Sequence, residues 1–187
     1  MKRNSWQEYQ KEVADDRYYY LRSCIRQNFF PGSEKAFVRI LRQELGRDLF
    51  DDPVHTSCTG IGYHSDIVPL ETIMTVVARQ FALASEAGYE NLAVSCITSF
   101  GIYTEILETW QEFPELEAKV REHLFRATGR EFRKPKNVSH ASDIIFHHRE
   151  AIRQRAAYLL ATWRTGEPLR GVEHIGCHYA KIFPKEG

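Results

Sequence analysis

Charge of one sign is what this sequence most plainly lacks: 25 Lys and Arg stand against 25 Asp and Glu, for a net charge of zero. A dedicated nucleic-acid binder carries a basic excess, so nucleic acid is not an expected partner. Long apolar runs are missing too. No stretch approaches the roughly 20 residues that cross a bilayer, and the opening ten residues hold no apolar signal core. A cytoplasmic protein without a transmembrane segment is expected. Three catalytic signatures are also absent: the Gly-x-Ser-x-Gly elbow, the Gly-x-x-x-x-Gly-Lys phosphate loop and the Gly-x-Gly-x-x-Gly fingerprint. Gly60-Ile-Gly62 alone carries no nucleotide site, and no residue is assigned a catalytic role.

Cysteine is scarce, at four residues, and in a reducing compartment thiols stay reduced. Three of them follow a serine at the end of an apolar run: Ser-Cys24-Ile-Arg-Gln-Asn, Ser-Cys58-Thr-Gly-Ile-Gly and Ser-Cys96-Ile-Thr-Ser-Phe-Gly. In an open α/β sheet the loops leaving the carboxyl ends of the strands share one rim. Three thiols far apart in sequence are therefore candidates to meet there. Thiolates that meet are ligands for an iron–sulfur cluster or for zinc. The alternative is that each is a small buried hydrophobe. His55 and His64 flank Cys58 and are the nearest nitrogen donors in sequence, although a lone loop histidine more often only hydrogen-bonds.

Strand-like and helix-like segments alternate. Arg17 to Cys24 reads as a first strand, Ser33 as the cap of a helix that stops at Gly46, and Asp48 to Asp51 as a second strand. A loop from Val54 to Ser65 carries Cys58. A long helix is expected from about Asp66 to Ala87, a third strand from Asn91 to Cys96, and helices over Ser99–Trp110 and Pro114–Thr128. Asn137 to His140 is extended, Ala141 to Thr165 is helical, and Gly171 to Cys177 reads as a last strand. The alternation predicts an α/β fold with a mainly parallel sheet flanked by helices. Residues 1–17 read as an N-terminal arm, 18–170 as the domain and 171–187 as the start of a second repeat. The last assignment rests on an echo: Phe30-Pro31 follows Cys24 at the same offsets at which Phe183-Pro184 follows Cys177.

The order of these features resembles the cysteine-rich CCG domain of the B-type subunits of heterodisulfide reductase, from Tyr18 to Tyr179. The matching residues include Cys24 with Phe30-Pro31-Gly32 and Glu34-Lys35-Ala36, Asp51-Asp52-Pro53 before Cys58, Asn91 to Cys96, Asn137-Val-Ser-His140 and Gly176-Cys177-His178-Tyr179. The resemblance implies an oxidoreductase component of the CoB–CoM heterodisulfide reductase type rather than a self-sufficient enzyme. In that family a Cys, a Cys-Cys pair and a Cys-x-x-Cys hold a non-cubane [4Fe–4S] cluster, and ferredoxin-like and flavoprotein subunits supply electrons.

Carried onto this chain, the ligand positions are Cys24, Cys58, Thr59, Cys96 and Ser99. Thr59 and Ser99 are hydroxyls where the family has thiolates, and soft metal sites prefer sulfur. Three thiolates remain for a cluster of another type, or for zinc completed by His64 or His55. Cys177 opens a second motif as an orphan. A cluster-free interaction or structural module that keeps the family's fold is the competing expectation.

Three other features have readings from the residues alone. Arg126, Arg130, Arg133, Lys134 and Lys136 form a basic run, read as a solvated face or else a patch for an anionic partner. His147 and His148 read as surface residues, and His140 as a residue that orients a helix start by a hydrogen bond.

Overall fold

The computed structural model describes residues 17–54 and 60–156. Four strands form one all-parallel sheet: β1 (Arg17–Leu21), β2 (Asp48–Phe50), β3 (Asn91–Val94) and β4 (Asn137–His140), in the order β2-β1-β3-β4. The register aligns Tyr19 with both Phe50 and Leu92, and Val94 with His140. The helices are α1 (Cys24–Phe29), α2 (Pro31–Arg39), α3 (Gly60–Ser65), α4 (Leu70–Glu86), α5 (Ile97–Glu112), α6 (Pro114–Thr128), α7 (Ala141–His147) and α8 (Arg149–Ala156). The expected α/β class is the one observed.

Side chains alternate across a strand, and β1 divides its apolar residues accordingly. Tyr19 and Leu21 join Leu92 and Val94 in a core with Val77 and Phe81 of α4, Ile102 and Ile106 of α5, and Leu124 of α6. Tyr18 and Tyr20 face the other way, onto Phe37 of α2, Leu41, Leu49 and Ile144 of α7. Both faces of β1 and β3 are therefore covered, which suits their near-continuous apolar sequences.

Several boundaries differ from those expected. The first strand stops at Leu21 rather than Cys24, because Ser23 caps α1: its Oγ accepts from the Arg26 backbone nitrogen at 3.2 Å. The third strand stops at Val94, and Cys96 is the N-cap of α5. Helix α2 opens with Pro31 at its first turn, where a missing N–H is harmless, while Ser33 donates to the Phe30 carbonyl instead of capping. Its continuation, Ile40–Glu44, widens to π geometry and is capped by Leu45, after which Gly46 turns the chain with a φ of 66° that suits glycine. The long helix starts after Pro69 rather than at Asp66, since a proline disfavours helical geometry in the residue before it. Part of the expected Cys58 loop is the helix α3. The stretch after Ala141 divides at His148 into α7 and α8.

Residues 1–16 of the expected arm 1–17, the helical sequence beyond 156 and the expected strand from Gly171 to Cys177 lie outside the described residues, and Arg17 opens β1. Among the described residues, no helix is long and apolar enough to cross a membrane.

Candidate functional site

The carboxyl ends of β1, β3 and β4 form one rim. Each leads within a few residues into a helix: β1 through Ser23 into α1, β3 through Ser95 into α5, and β4 directly into α7. Cys24 is the first residue of α1 and is exposed; Cys96, the N-cap of α5, is partly exposed.

The serine before each of these cysteines is held by a single buried side chain, Glu34 of α2, which is 7% exposed. Glu34 Oε1 accepts from the Ser23 backbone nitrogen at 2.7 Å and from Ser95 Oγ at 2.9 Å, and Oε2 accepts from the Tyr20 hydroxyl. Burial and this carboxylate together push the Tyr20 hydroxyl well above the ordinary tyrosine range. The Ser95 backbone nitrogen also donates to the Leu21 carbonyl at 3.1 Å, which continues the β1–β3 pairing past the last strand residue.

His140 closes the rim from the β4 side. Its Nδ1 accepts from the Ser142 backbone nitrogen at 3.3 Å and lies 2.6 Å from Ser142 Oγ, so it caps α7 as the sequence suggested. Burial first, and then the nearby Arg26 charge, lower its pKa to about 4; a hydrogen bond with the Ser95 backbone works in the opposite direction. The imidazole is neutral at pH 7 and occupied as a buckle.

The segment after Cys58 reaches the same corner. Gly60, two residues beyond Cys58, packs so closely on α5 that a Cβ there would lie 2.9 Å from Thr98 Cγ2, and Thr98 is two residues beyond Cys96. Tyr63 of α3 donates to Glu105 of α5 at 2.7 Å; burial and this bond push its hydroxyl up to about 12. On the N-terminal side of Cys58, Asp52 accepts from the Val54 nitrogen at 2.8 Å and from the buried Tyr19 hydroxyl at 2.6 Å.

Of the predicted positions, Cys24 and Cys96 therefore lie on one rim, and Ser99 sits partly exposed in the first turn of α5. His64 is exposed on α3, its ring edge-on to Tyr63. Cys58, Thr59, His55 and Cys177 lie outside the described residues. Two sulfur donors on a preformed rim fit a soft metal or an iron–sulfur group in kind. Among the described residues, no three His, Cys, Asp or Glu side chains gather as a metal site.

The clamp itself, Ser23, Glu34, Ser95 and Tyr20, was not anticipated. Two signals for it exist in the sequence: the serine before each cysteine, and a carboxylate on the apolar stripe Glu34, Phe37, Leu41 of an amphipathic helix.

Two surface expectations resolve differently. The basic run is largely matched by carboxylates: Arg126 with Glu122, Arg130 with Glu86, Lys134 with Glu117 and Lys136 with Glu90. Burial opposes ionisation of Glu117, but Lys134 and Arg121 outweigh it and lower its pKa. This is the solvated face rather than an anion patch. His148, expected at the surface, is buried at 8% exposure, because it forms the junction of α7 and α8.

Fold and rim together define a parallel α/β domain that presents cysteines at the carboxyl ends of its strands. Comparison with known proteins gives the relationship. The chain is a distant homologue of the B-type subunits of heterodisulfide reductase, and the homology covers nearly all of it. It is 26% identical over 180 residues to the B-type subunit of the ferredoxin:CoB-CoM heterodisulfide reductase of Methanosarcina acetivorans, in an alignment that takes in 92% of this chain and 55% of that protein. The chain thus spans about half the length of this curated relative. No protein-family model matches it.

Proposed function

We propose that this chain is an electron-transfer component of a heterodisulfide reductase-like complex, with Cys24, Cys58 and Cys96 as ligands of an iron–sulfur cluster. The observation that carries the reading is the clamp on Glu34, which fixes the Ser-Cys24 and Ser-Cys96 steps on neighbouring strand ends. Cys58 is proposed as the third ligand because Gly60, two residues further along the chain, packs on Thr98 of α5, and two residues of chain span at most about 7 Å. Such a cluster would supply one-electron transfer. The protein's part is to fix the Ser-Cys24 and Ser-Cys96 steps through Glu34, with the His140 ring closing the β4 end of the same rim.

The relative belongs to a ferredoxin:CoB-CoM heterodisulfide reductase, and ferredoxin-like and flavoprotein partners are proposed here by the same relationship. Residues 171–187, with Cys177, are proposed as the opening of a second repeat. Thr59 and Ser99 make the five-thiolate non-cubane site of the family unavailable, so a cluster with fewer thiolates is the expected form.

The test is metal and sulfide analysis of anaerobically purified protein. Iron and acid-labile sulfide in comparable amounts are expected, with visible absorption that Cys24→Ser, Cys58→Ser and Cys96→Ser each abolish. Zinc alone would replace this reading with a structural zinc site, completed by His64 or His55. Hydroxyls at two of the family's five ligand positions, Thr59 and Ser99, favour a second reading: a cluster-free interaction module. Absence of any metal, with all three serine variants as stable as the parent, would establish it.

A further inference from the structure

Helix α1 buries none of its six residues. A helix of that length is far below what is stable alone, and it exposes large apolar side chains: Ile25 at 54%, Phe29 at 72% and, just beyond its end, Phe30 at 63%. Helical spacing places Ile25 with Phe29, and Arg26 with Phe30, in two adjacent stripes.

Charge sets this patch apart from the end of α6. Over residues 22–39 there are four cations, Arg22, Arg26, Lys35 and Arg39, and one carboxylate, Glu34, which is buried in the clamp. Arg22 is paired with Asp51 and Arg39 with Glu44, while Arg26 and Lys35 have no ion pair among the described residues. The cations near the end of α6, by contrast, are mostly matched by carboxylates. An apolar, aromatic centre with unmatched positive charge is complementary to a protein surface that carries carboxylates around an apolar spot.

We infer that α1 and the start of α2 form the docking face for an acidic electron-transfer protein, bound so that it covers Cys24. This inference rests on the electron-transfer reading of the rim and adds to it the face and the chemistry of the partner. The aromatic side chains supply the buried contact. Arg26 and Lys35 supply steering and orientation, so the encounter is expected to be salt-sensitive.

The experiment titrates the anaerobically prepared 187-residue chain with an acidic two-cluster ferredoxin, by calorimetry at low and at physiological salt. Binding is expected to weaken about tenfold or more between the two salts. Phe29→Ser should weaken it by about tenfold at either salt, as an aromatic anchor does, and Arg26→Glu and Lys35→Glu chiefly at low salt. Arg153→Glu, an exposed change on α8, is the control and should leave binding unchanged, with thermal stability of all variants checked.

No binding, or equal binding by Phe29→Ser and Arg26→Glu, overturns the inference. So does a loss as large in Arg153→Glu, which would mean undirected charge attraction. Association with phosphatidylserine vesicles through the same residues, or a homodimer abolished by Phe29→Ser, would likewise assign the face to another occupant. Metal analysis separates the two levels: docking by iron-free protein removes the cluster reading alone, and an iron-bearing protein indifferent to these substitutions removes the docking face alone.

Discussion

Glu34 Oε1 lies 2.9 Å from Ser95 Oγ, 61 residues away in sequence, and the same oxygen accepts from the backbone nitrogen of Ser23. One buried carboxylate thus fixes the residue before Cys24 and the residue before Cys96. Glu34→Ala would leave the Ser23 N–H and the Tyr20 hydroxyl buried without their acceptor and the Ser95 hydroxyl with only the Leu21 carbonyl at 3.4 Å, at a cost of about 3 kcal/mol. Urea unfolding is the direct measurement. Glu34→Gln keeps an acceptor and the shape and should lose only about 1 kcal/mol. In a Cys58→Ser, Cys177→Ser background only Cys24 and Cys96 remain, and bridging by dibromobimane should fall in Glu34→Ala but persist in Glu34→Gln. Equal bridging in all three would show that the clamp does not set the thiols.

Much of this architecture was legible in the sequence because its signals are local. Tyr18 to Leu21 and Asn91 to Val94 are short apolar runs bounded by polar residues, and Pro114 and Gly129 bracket α6. Cys24 and Cys96 fell on one rim because strand-to-helix connections in a parallel sheet share an end. What the sequence hid depends on contacts distant along the chain. Ser23 and Ser33 are equally good caps by composition, but α2 opens two residues before Ser33, at Pro31, so Ser33 lies inside the helix while Ser23 caps α1. The burial of His148 likewise follows from a helix division that no proline or glycine marks.

His140 gives the fold a pH dependence with a defined sign. Its pKa is about 4 in the folded chain against an ordinary value near 6.5, so between these values the unfolded chain binds a proton that the folded one refuses. Stability from this residue is fully present above pH 6.5, declines as pH falls toward 4, and stops declining below that. For a single proton the slope is at most about 1.4 kcal/mol per pH unit. His140→Asn keeps a capping oxygen for α7 and removes the titration. The difference between the two stability profiles should therefore vanish as a function of pH above neutrality and grow below it. Parallel profiles from pH 7 to pH 4 would contradict the assignment.

The close approach of α3 to α5 is testable by exchanging one methyl group. Gly60→Ala places a Cβ 2.9 Å from Thr98 Cγ2, a clash expected to destabilise by about 1–2 kcal/mol. Thr98→Ser deletes that methyl, and the double variant should recover most of the loss, because Gly60 has no positive φ that an alanine would strain. A double-mutant cycle measures the coupling. Additive effects would mean that Gly60 and Thr98 are not in contact, and the tether proposed for Cys58 would go with it.

The hydroxyl at Ser99 bears on what the rim can hold. Ser99 lies three residues after Cys96 in the first turn of α5 and is partly exposed, so Ser99→Cys gives a Cys-x-x-Cys turn with little structural penalty, within about 0.5 kcal/mol for such a site. Thiolate is a far better iron ligand than a neutral hydroxyl. If the three native thiols already seat a cluster, Ser99→Cys should raise the iron and sulfide bound per chain and slow their loss to a chelator. Combining it with Thr59→Cys should raise them further. The comparison with Ser99→Ala separates ligation from packing, since alanine removes the hydroxyl without adding sulfur and should leave iron content where it was. Unchanged iron in Ser99→Cys, with the parent also free of iron, would assign the rim to protein contacts rather than to a cluster.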